Sequence, residues 1–275
     1  MEIKARGLTF DVYSGGPPDG PPVLLLHGFP QDHREFDLMV PALHDAGLRT
    51  YALDQRGYSP GARPPAVSGY ALTEPVADAI AVLDALAVES AHVIGHDWGA
   101  QVGWLLAAQH PDRVRTLTAV SVPHPQALRL AMRTRRSQRA RFAYMGVFRS
   151  PVAETLLMAR DGAALRGMMR SIGHRADLYV QAMREQGRLT GALNWYRALS
   201  GRSLGGLGVI TVPTTYVWTD KDPVVGLTAA LRTADWVEAD YQLVAMKGIS
   251  HWVPEEAPFE LAEVALRRIT TGAAG

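Results

Sequence analysis

The chain has 275 residues, of which 47% are hydrophobic and 20% charged, a composition typical of a folded protein with a sizeable core. This composition excludes intrinsic disorder, collagen-like repeats and a transmembrane bundle. The absence of cysteine excludes disulfides, thiolate catalysis, cysteine-ligated zinc and iron–sulfur clusters. A net charge of +1 indicates no polyanionic partner such as nucleic acid.

The charges are unevenly distributed along the chain. Residues 121–202 contain fifteen arginines, no lysine and four acidic residues, which gives this segment a net charge of +11 and the remainder −10. Such a split indicates two structural units with different surfaces, or a basic interaction face. The simpler interpretation is a solvated basic face that also docks on the acidic remainder.

The first part of the chain alternates short apolar strands with amphipathic helices. Strands are predicted at 3–13 (two, with a turn at Gly7), 23–26, 49–53, 91–94 and 114–122, and helices at 36–43, 74–86 and 98–109. Alternation of this kind predicts the α/β class, with a mostly parallel sheet covered by helices on both faces. No apolar run is long enough to span a membrane and no targeting signal is evident, so a cytoplasmic location is expected.

The pattern changes in the second half. Residues 125–202 are helix-like without a clear strand, and the alternation resumes with strands at 212–219 and 236–244 and helices at 224–232 and 258–269. We therefore expect one core formed by residues 1–122 and 203–275, interrupted by an all-helical insertion at 123–202. The glycine-rich residues 205–208 are interpreted as a connector, and residues 271–275 as a disordered tail.

Asp97 stands at the centre of a Gly-His-Asp-Trp-Gly sequence, between a predicted buried strand and a helix. This is the pattern of a nucleophile held on a tight strand-to-helix turn, where flanking glycines leave room for close backbones. The alternative is an ordinary helix N-cap, which also favours aspartate. A carboxylate that attacked an ester would form a reactive anhydride, whereas attack on an sp³ carbon gives an alkyl ester that water can hydrolyse. Asp97 therefore favours opening of an epoxide or displacement of a halide over esterase, lipase or peptidase chemistry.

His251 is the candidate base, since it follows the penultimate strand and precedes the last helix. With a carboxylate nucleophile, its role would be to deprotonate the water that cleaves the ester. It needs an acid on its other nitrogen, and Asp220 and Asp222 both lie at the end of a predicted strand. The backbone N–H groups of Phe29 and Trp98 are the candidate oxyanion donors.

Several segments resemble the α/β-hydrolase superfamily and, within it, the epoxide hydrolase branch with a helical cap. They are His27 to Pro30, 54–59, His96 to Gly99, 110–114, and Asp222 with His251. The resemblance implies Asp222 as the acid, with Asp220 as the alternative, because Thr219 replaces the glycine of the family's Trp-Gly-x-x-Asp pattern. It also implies two cap tyrosines that donate to the epoxide oxygen, which map onto Tyr144 and Tyr196.

The resemblance implies a cofactor-independent enzyme acting on a small apolar epoxide with water as co-substrate. His92 and His96 do not share a helix face, so no metal site is predicted. An apolar pocket lining is predicted from Trp195, Phe142, Phe148, Met145 and Met183.

The alternative function is a haloalkane dehalogenase that uses Asp97, His251 and Asp222 in the same way, with Trp98 binding the leaving halide. A non-catalytic binding protein is a third possibility. The basic segment raises the further hypothesis of attraction toward epoxides bearing a carboxylate. A homodimer is compatible with the sequence.

Overall fold

A computed structural model describes residues 1–199 and 207–272. The insertion boundary expected at residue 202, residues 205 and 206 of the glycine-rich connector at 205–208, and residues 273–275 of the expected tail lie outside this range. Residues 271 and 272, which were expected to be disordered, belong instead to the last helix.

An eight-stranded sheet forms the centre of the molecule, in the order β1-β2-β4-β3-β5-β6-β7-β8. The strands are β1 (Glu2–Ala5), β2 (Leu8–Gly15), β3 (Pro22–Leu26), β4 (Arg49–Leu53), β5 (Ala91–His96), β6 (Val114–Val120), β7 (Thr214–Thr219) and β8 (Tyr241–Met246). The β1–β2 and β2–β4 pairs are antiparallel, and all other pairs are parallel. The predicted α/β class with a mostly parallel sheet is confirmed.

Twelve α-helices are formed by the described residues. They are α1 (Val40–Asp45), α2 (Thr73–Ala85), α3 (Trp98–Gln109), α4 (Pro125–Thr134), α5 (Arg136–Arg141), α6 (Tyr144–Arg149), α7 (Ala153–Met168, with non-helical backbone at 159–162), α8 (Arg175–Ala182), α9 (Arg188–Ala198), α10 (Leu227–Arg232), α11 (Val253–Glu256) and α12 (Pro258–Gly272). None of them is both long enough and apolar enough to cross a membrane.

Both faces of the sheet are buried, as the wholly apolar β3 requires. Leu24 and Leu26 pack into a cluster that contains residues of α2 and α3. Val23 and Leu25 point to the opposite face and pack into a cluster with residues of α1 and α12. The period-two alternation of side chains along a strand therefore divides one short segment between two cores.

Helices α4 to α9 form a single helical segment between β6 and β7, here called the helical segment (residues 125–198). Its apolar cluster includes Leu157, Leu165 and Leu193 and extends to Phe29 and Trp252 of the sheet side. Buried polar contacts add to this packing. They are the ion pairs of Arg188 with Asp32 and of Arg175 with Glu255, and the hydrogen bond from Trp195 Nε1 to the Arg56 carbonyl at 2.8 Å.

Three element boundaries differ from the sequence prediction for local reasons. The helix expected from residue 36 is a 3-10 turn at His33–Phe36 followed by α1, because Pro41 lacks an N–H and fits only the first turn of a helix. Helix α10 begins at Leu227, because Asp222 Oδ1 accepts from the N–H groups of Val224 and Val225 and holds them in a turn. Residues 233–236 form a 3-10 turn, so β8 begins only at Tyr241.

Candidate active site

Asp97 occupies the turn between β5 and α3 with φ 50° and ψ −115°, a backbone conformation that L-residues rarely adopt. The chain can bend this sharply because the flanking residues are glycines. A Cβ on Gly99 would lie 1.8 Å from the Leu26 carbonyl oxygen, and one on Gly95 would lie 2.3 Å from the Gly99 carbonyl oxygen. The turn presents the Asp97 carboxylate at the carboxyl edge of the parallel strands.

The three residues expected to act together lie in one line of polar contacts, with His251 between the two carboxylates. His251 Nε2 lies 3.4 Å from Asp97 Oδ2, and His251 Nδ1 lies 3.0 Å from Asp222 Oδ2. The second oxygen of Asp222 accepts from the backbone N–H groups that follow it, so the carboxylate is held on both sides. This arrangement fixes the imidazole ring and directs Nε2 toward Asp97.

The charges of this line stabilise one another. Burial opposes the imidazolium of His251, but the Asp222 and Asp97 carboxylates outweigh burial and raise its pKa to about 10. Burial likewise opposes the charged form of Asp97, but its contact with His251 lowers the pKa of the carboxyl below the ordinary value. At neutral pH the free protein therefore holds an ionised carboxylate beside a protonated histidine.

The alternative acid, Asp220, lies elsewhere. Its side chain is exposed and accepts a hydrogen bond from the Gly248 N–H at 2.7 Å. Thr219, which stands where the family pattern has glycine, donates from Oγ1 to the Ser250 carbonyl at 2.9 Å and so ties β7 to the loop that carries His251. The structure thus brings Asp222, and not Asp220, to the histidine.

The expected oxyanion donors flank Asp97. The Phe29 N–H donates to Asp97 Oδ1 at 3.0 Å. Gly28 permits this approach, because a Cβ there would lie 2.4 Å from the Cβ of Asp97. Trp98 is the first residue of α3, so its N–H is among the helix-terminal groups without an intrahelical partner.

Tyr144 on α6 and Tyr196 on α9 lie opposite Asp97, with ring centroids 6.3 Å apart. They separate two recesses, and Asp97 borders both. The recess that Gln101 borders is the smaller, and the recess that His251 borders is the larger. Burial and the nearby Asp97 carboxylate raise the pKa of both tyrosines above the ordinary value, so both hydroxyls are protonated donors at neutral pH.

The lining of the recesses is mainly apolar, with a few polar exceptions. Phe142 and Met145 border the smaller recess and Phe148 borders the larger, as the sequence predicts. The expectation was wrong for Trp195 and Met183, which border neither recess. Both are buried, Trp195 against the Arg56 carbonyl and Met183 among the apolar residues of the helical segment.

The sequence reasoning missed three polar residues near the site. Gln101 borders the smaller recess and Arg141 the larger. Glu35 lies behind the site and is connected to it by His96. His96 Nδ1 is 3.0 Å from Glu35 Oε2, and His96 Nε2 is 2.9 Å from the His251 carbonyl oxygen. Burial raises the pKa of Glu35 to about 7. Gln101 lies one helical turn after Asp97, and this spacing could have identified it from the sequence as a residue near the site.

Among the described residues, the side chains of Asp32, His33 and Asp54 are grouped closely enough to hold a metal ion. Their oxygens already have partners, because Asp32 pairs with Arg34 and Arg188, and Asp54 with His33. The arginines outweigh burial and lower the pKa of Asp32 to about 2. This group is an ion-pair cluster in which two guanidinium groups hold the central carboxylate.

The fold and the site define an α/β-hydrolase. The family described as alpha/beta hydrolase fold matches residues 21–258, and the chain belongs to it. The chain is 32% identical to the AB hydrolase superfamily protein YfhM of Bacillus subtilis over 266 residues, covering 93% of this chain and 92% of that protein.

Two further relatives carry the name epoxide hydrolase. Epoxide hydrolase A of Mycobacterium tuberculosis is 30% identical over 312 aligned positions, covering 98% of this chain and 96% of the relative. The crystal structure of epoxide hydrolase A from Mycobacterium thermoresistibile is 28% identical, with a TM-score of 0.84 and coverage of 98% of this chain and 97% of that one. Within the family, the chain belongs to the epoxide hydrolase branch.

Proposed function

We propose that this chain hydrolyses an epoxide to a vicinal diol through an ester on Asp97. The observation that carries the proposal is that Asp97 and two protonated tyrosines, Tyr144 and Tyr196, border the same recesses. Ring opening needs a nucleophile on carbon and a proton donor on oxygen at the same time. The helical segment supplies the donors and the sheet supplies the nucleophile. We accordingly propose residues 123–202 as a cap over a core of residues 1–122 and 203–275.

In the first step, Asp97 Oδ2 attacks a ring carbon, because Oδ1 is held by the Phe29 N–H. A C–O bond forms to the enzyme as the ring C–O bond breaks, and the ring oxygen takes a proton from one of the tyrosines. The product of this step is a hydroxyalkyl ester of Asp97 and a tyrosinate. His251, which borders the larger recess with both tyrosines, returns a proton to the tyrosinate.

The loss of the Asp97 charge prepares the second step. Asp97 is one of the two carboxylates that raise the pKa of His251, and as an ester it no longer does so. The neutral imidazole, oriented by Asp222 through Nδ1, takes a proton from water at Nε2. The resulting hydroxide attacks the ester carbon, and the oxyanion forms on Oδ1 beside the N–H groups of Phe29 and Trp98. Collapse breaks the C–O bond to the diol, whose oxygen takes the proton of the hydroxyl that water supplied. This restores the Asp97 carboxylate and leaves His251 protonated, as in the free protein.

A single turnover in ¹⁸O-water tests the covalent scheme. The water oxygen ends on Asp97, and the first diol takes an oxygen that came from the enzyme. Peptide mass spectrometry should therefore find ¹⁸O at Asp97, with the first diol unlabelled. A labelled diol with unlabelled Asp97 would mean direct attack by water.

A haloalkane dehalogenase is the second candidate, and one observation favours it. The indole Nε1 of Trp98 is buried without a hydrogen-bond partner among the described residues, and such an N–H suits a leaving halide. Halide displacement makes no use of two tyrosine proton donors, which is why we place it second. Diol release from styrene oxide and halide release from a 1-haloalkane, measured on the same preparation, separate the two reactions.

A further inference from the structure

The smaller recess contains a polar group that the proposed mechanism does not use. Gln101 is 3% exposed, and its Nε2 makes no hydrogen bond to any residue that the structure describes. The Trp98 indole N–H is buried near the Tyr196 hydroxyl but makes no hydrogen bond of ordinary length and angle to a described residue, and Trp98 borders this recess together with Gln101. Buried N–H donors without acceptors are rare in proteins because their desolvation is not compensated.

The position of Gln101 relative to Asp97 limits what can reach it. The backbone N–H of Gln101 donates to the backbone carbonyl of Asp97 at 3.1 Å, so the first turn of α3 joins the two residues. Both side chains border the smaller recess. An atom bound by the Gln101 amide therefore lies within a few bonds of a carbon attacked by Asp97.

The chemistry of the recess indicates a neutral acceptor. The Trp98 N–H can only donate, so a group shared by both donors must accept. The remaining lining is apolar apart from Asp97 and the two tyrosines, and it includes Val122, Leu128 and Leu199. None of these lining residues carries a positive charge that would favour a carboxylate beside Asp97.

We propose that the smaller recess is a subsite for an ether or carbonyl oxygen located within a few bonds of the epoxide ring, bound by Gln101 and Trp98. The inference rests on the proposed epoxide hydrolysis and names a substrate class for it. A substrate oxygen placed between these donors accepts from both and compensates their desolvation. The donors then favour acceptor-bearing epoxides over hydrocarbon epoxides of the same shape.

The test compares phenyl glycidyl ether with 4-phenyl-1,2-epoxybutane, in which a methylene replaces the ether oxygen. We expect Gln101→Met to reduce the preference for the ether, expressed as a ratio of kcat/KM values, by roughly three- to tenfold. The intrinsic reactivity difference between the two epoxides cancels, because it is the same for both enzymes. Most of the change should fall in KM for the ether, since the subsite binds a group that does not react.

Two further variants secure the result. Leu128→Met changes the lining of the same recess without altering a donor, and should affect both substrates alike. Gln101→Leu also removes the amide donor, with a differently shaped apolar side chain, so it should reduce the ether preference even if Gln101→Met does not fold. A wild-type ratio retained in both Gln101 variants overturns the subsite and leaves epoxide hydrolysis standing. A wild-type protein that hydrolyses neither epoxide overturns both proposals.

Discussion

The two walls of the active-site recesses hold their reactive groups in different ways. On the sheet wall, Asp222, His251 and Asp97 are joined to one another by polar contacts of 3.0 to 3.4 Å. On the helical wall, Tyr196 is held by the edges of aromatic rings, with its centroid 5.0 Å from Trp98 and 5.4 Å from Phe29. Each of the three residues on the sheet wall has its own role in the proposed mechanism. The helical wall instead offers two tyrosine hydroxyls with the same role.

The largest expected effect comes from breaking the sheet wall. We expect His251→Gln to lower kcat by at least about 10⁴-fold and to accumulate the Asp97 ester, because the ester forms but is not hydrolysed. Asp97→Asn should lose as much activity without any adduct. Intact-protein mass spectrometry after mixing with substrate distinguishes them, and a His251→Gln protein that turns over without an adduct would contradict the scheme.

A smaller loss is expected on the helical wall, because one tyrosine can partly replace the other. Tyr144→Phe and Tyr196→Phe should each lower kcat/KM by roughly 10²-fold, and the double variant should lose clearly more than either. Tyr241→Phe on β8, which borders neither recess, is the matched control and should retain wild-type activity. Rapid-quench measurement of ester formation tests this, and an unchanged rate in the double variant would remove the tyrosines from the first step.

The contacts that dock the helical wall on the sheet wall should contribute to stability rather than to chemistry. The Arg188 and Asp32 side chains are 6% and 1% exposed, so Arg188→Met leaves a buried carboxylate with less compensation and should cost about 3–5 kcal/mol. Arg166 pairs with Asp177 at the surface, where solvent screens the charges, so Arg166→Ala should leave the stability nearly unchanged. Urea unfolding measures both, and equal losses would mean that the buried pair has no special role.

The charge pair of the sheet wall should make stability depend on pH. His251 has a pKa raised to about 10 in the folded protein, against about 6.5 when unfolded, so the folded state binds the proton more tightly. Its contribution is complete below the unfolded pKa and is lost as the pH rises toward 10. Wild type should therefore lose more stability than His251→Gln between pH 7 and 10. Parallel stability curves for the two proteins would contradict the raised pKa.

The smallest expected effect is a salt dependence of kcat/KM that arises from three arginines at the N-terminal end of the helical segment. Arg129, Arg133 and Arg136 form no ion pair with a described residue, in contrast to Arg175 and Arg188, which pair with acids of the core. For an epoxide bearing a carboxylate, kcat/KM should fall a few-fold as salt screens this charge, while that for a neutral epoxide stays constant. Replacing the three unpaired arginines with glutamine should flatten the response. Equal salt responses of the two substrates would leave only a docking and surface role for the basic segment.

The contrast between the walls also explains what could be predicted from the sequence. The Asp97 turn is a local feature, since its strained backbone demands Gly95 and Gly99 at fixed positions. The turn, with the strand before it and the helix after it, could therefore be predicted from the sequence. The resemblance implied Asp222 as the acid, whereas the residues alone left Asp220 open because both follow the same strand. The structure brings only Asp222 to His251.

The helical wall was harder to predict because long-range contacts position it. Arg188 and Asp32 are 156 positions apart, and no local pattern relates them. The orientation of α9 that follows from such contacts turns Trp195 toward the Arg56 carbonyl and away from the recesses. The same limit applies to Gln101, whose unpaired amide becomes evident only when the surrounding apolar lining is in place.

The presence of a recess on each side of the tyrosine pair has a stereochemical consequence. A substituent in the smaller recess turns one ring carbon toward Asp97, and the same substituent in the larger recess turns the other. Because displacement inverts the attacked carbon, mirror-image epoxides that choose opposite recesses are converted to the same diol enantiomer. The relative sizes of the two recesses thus bear on the handedness of the product as well as on the size of the substrate.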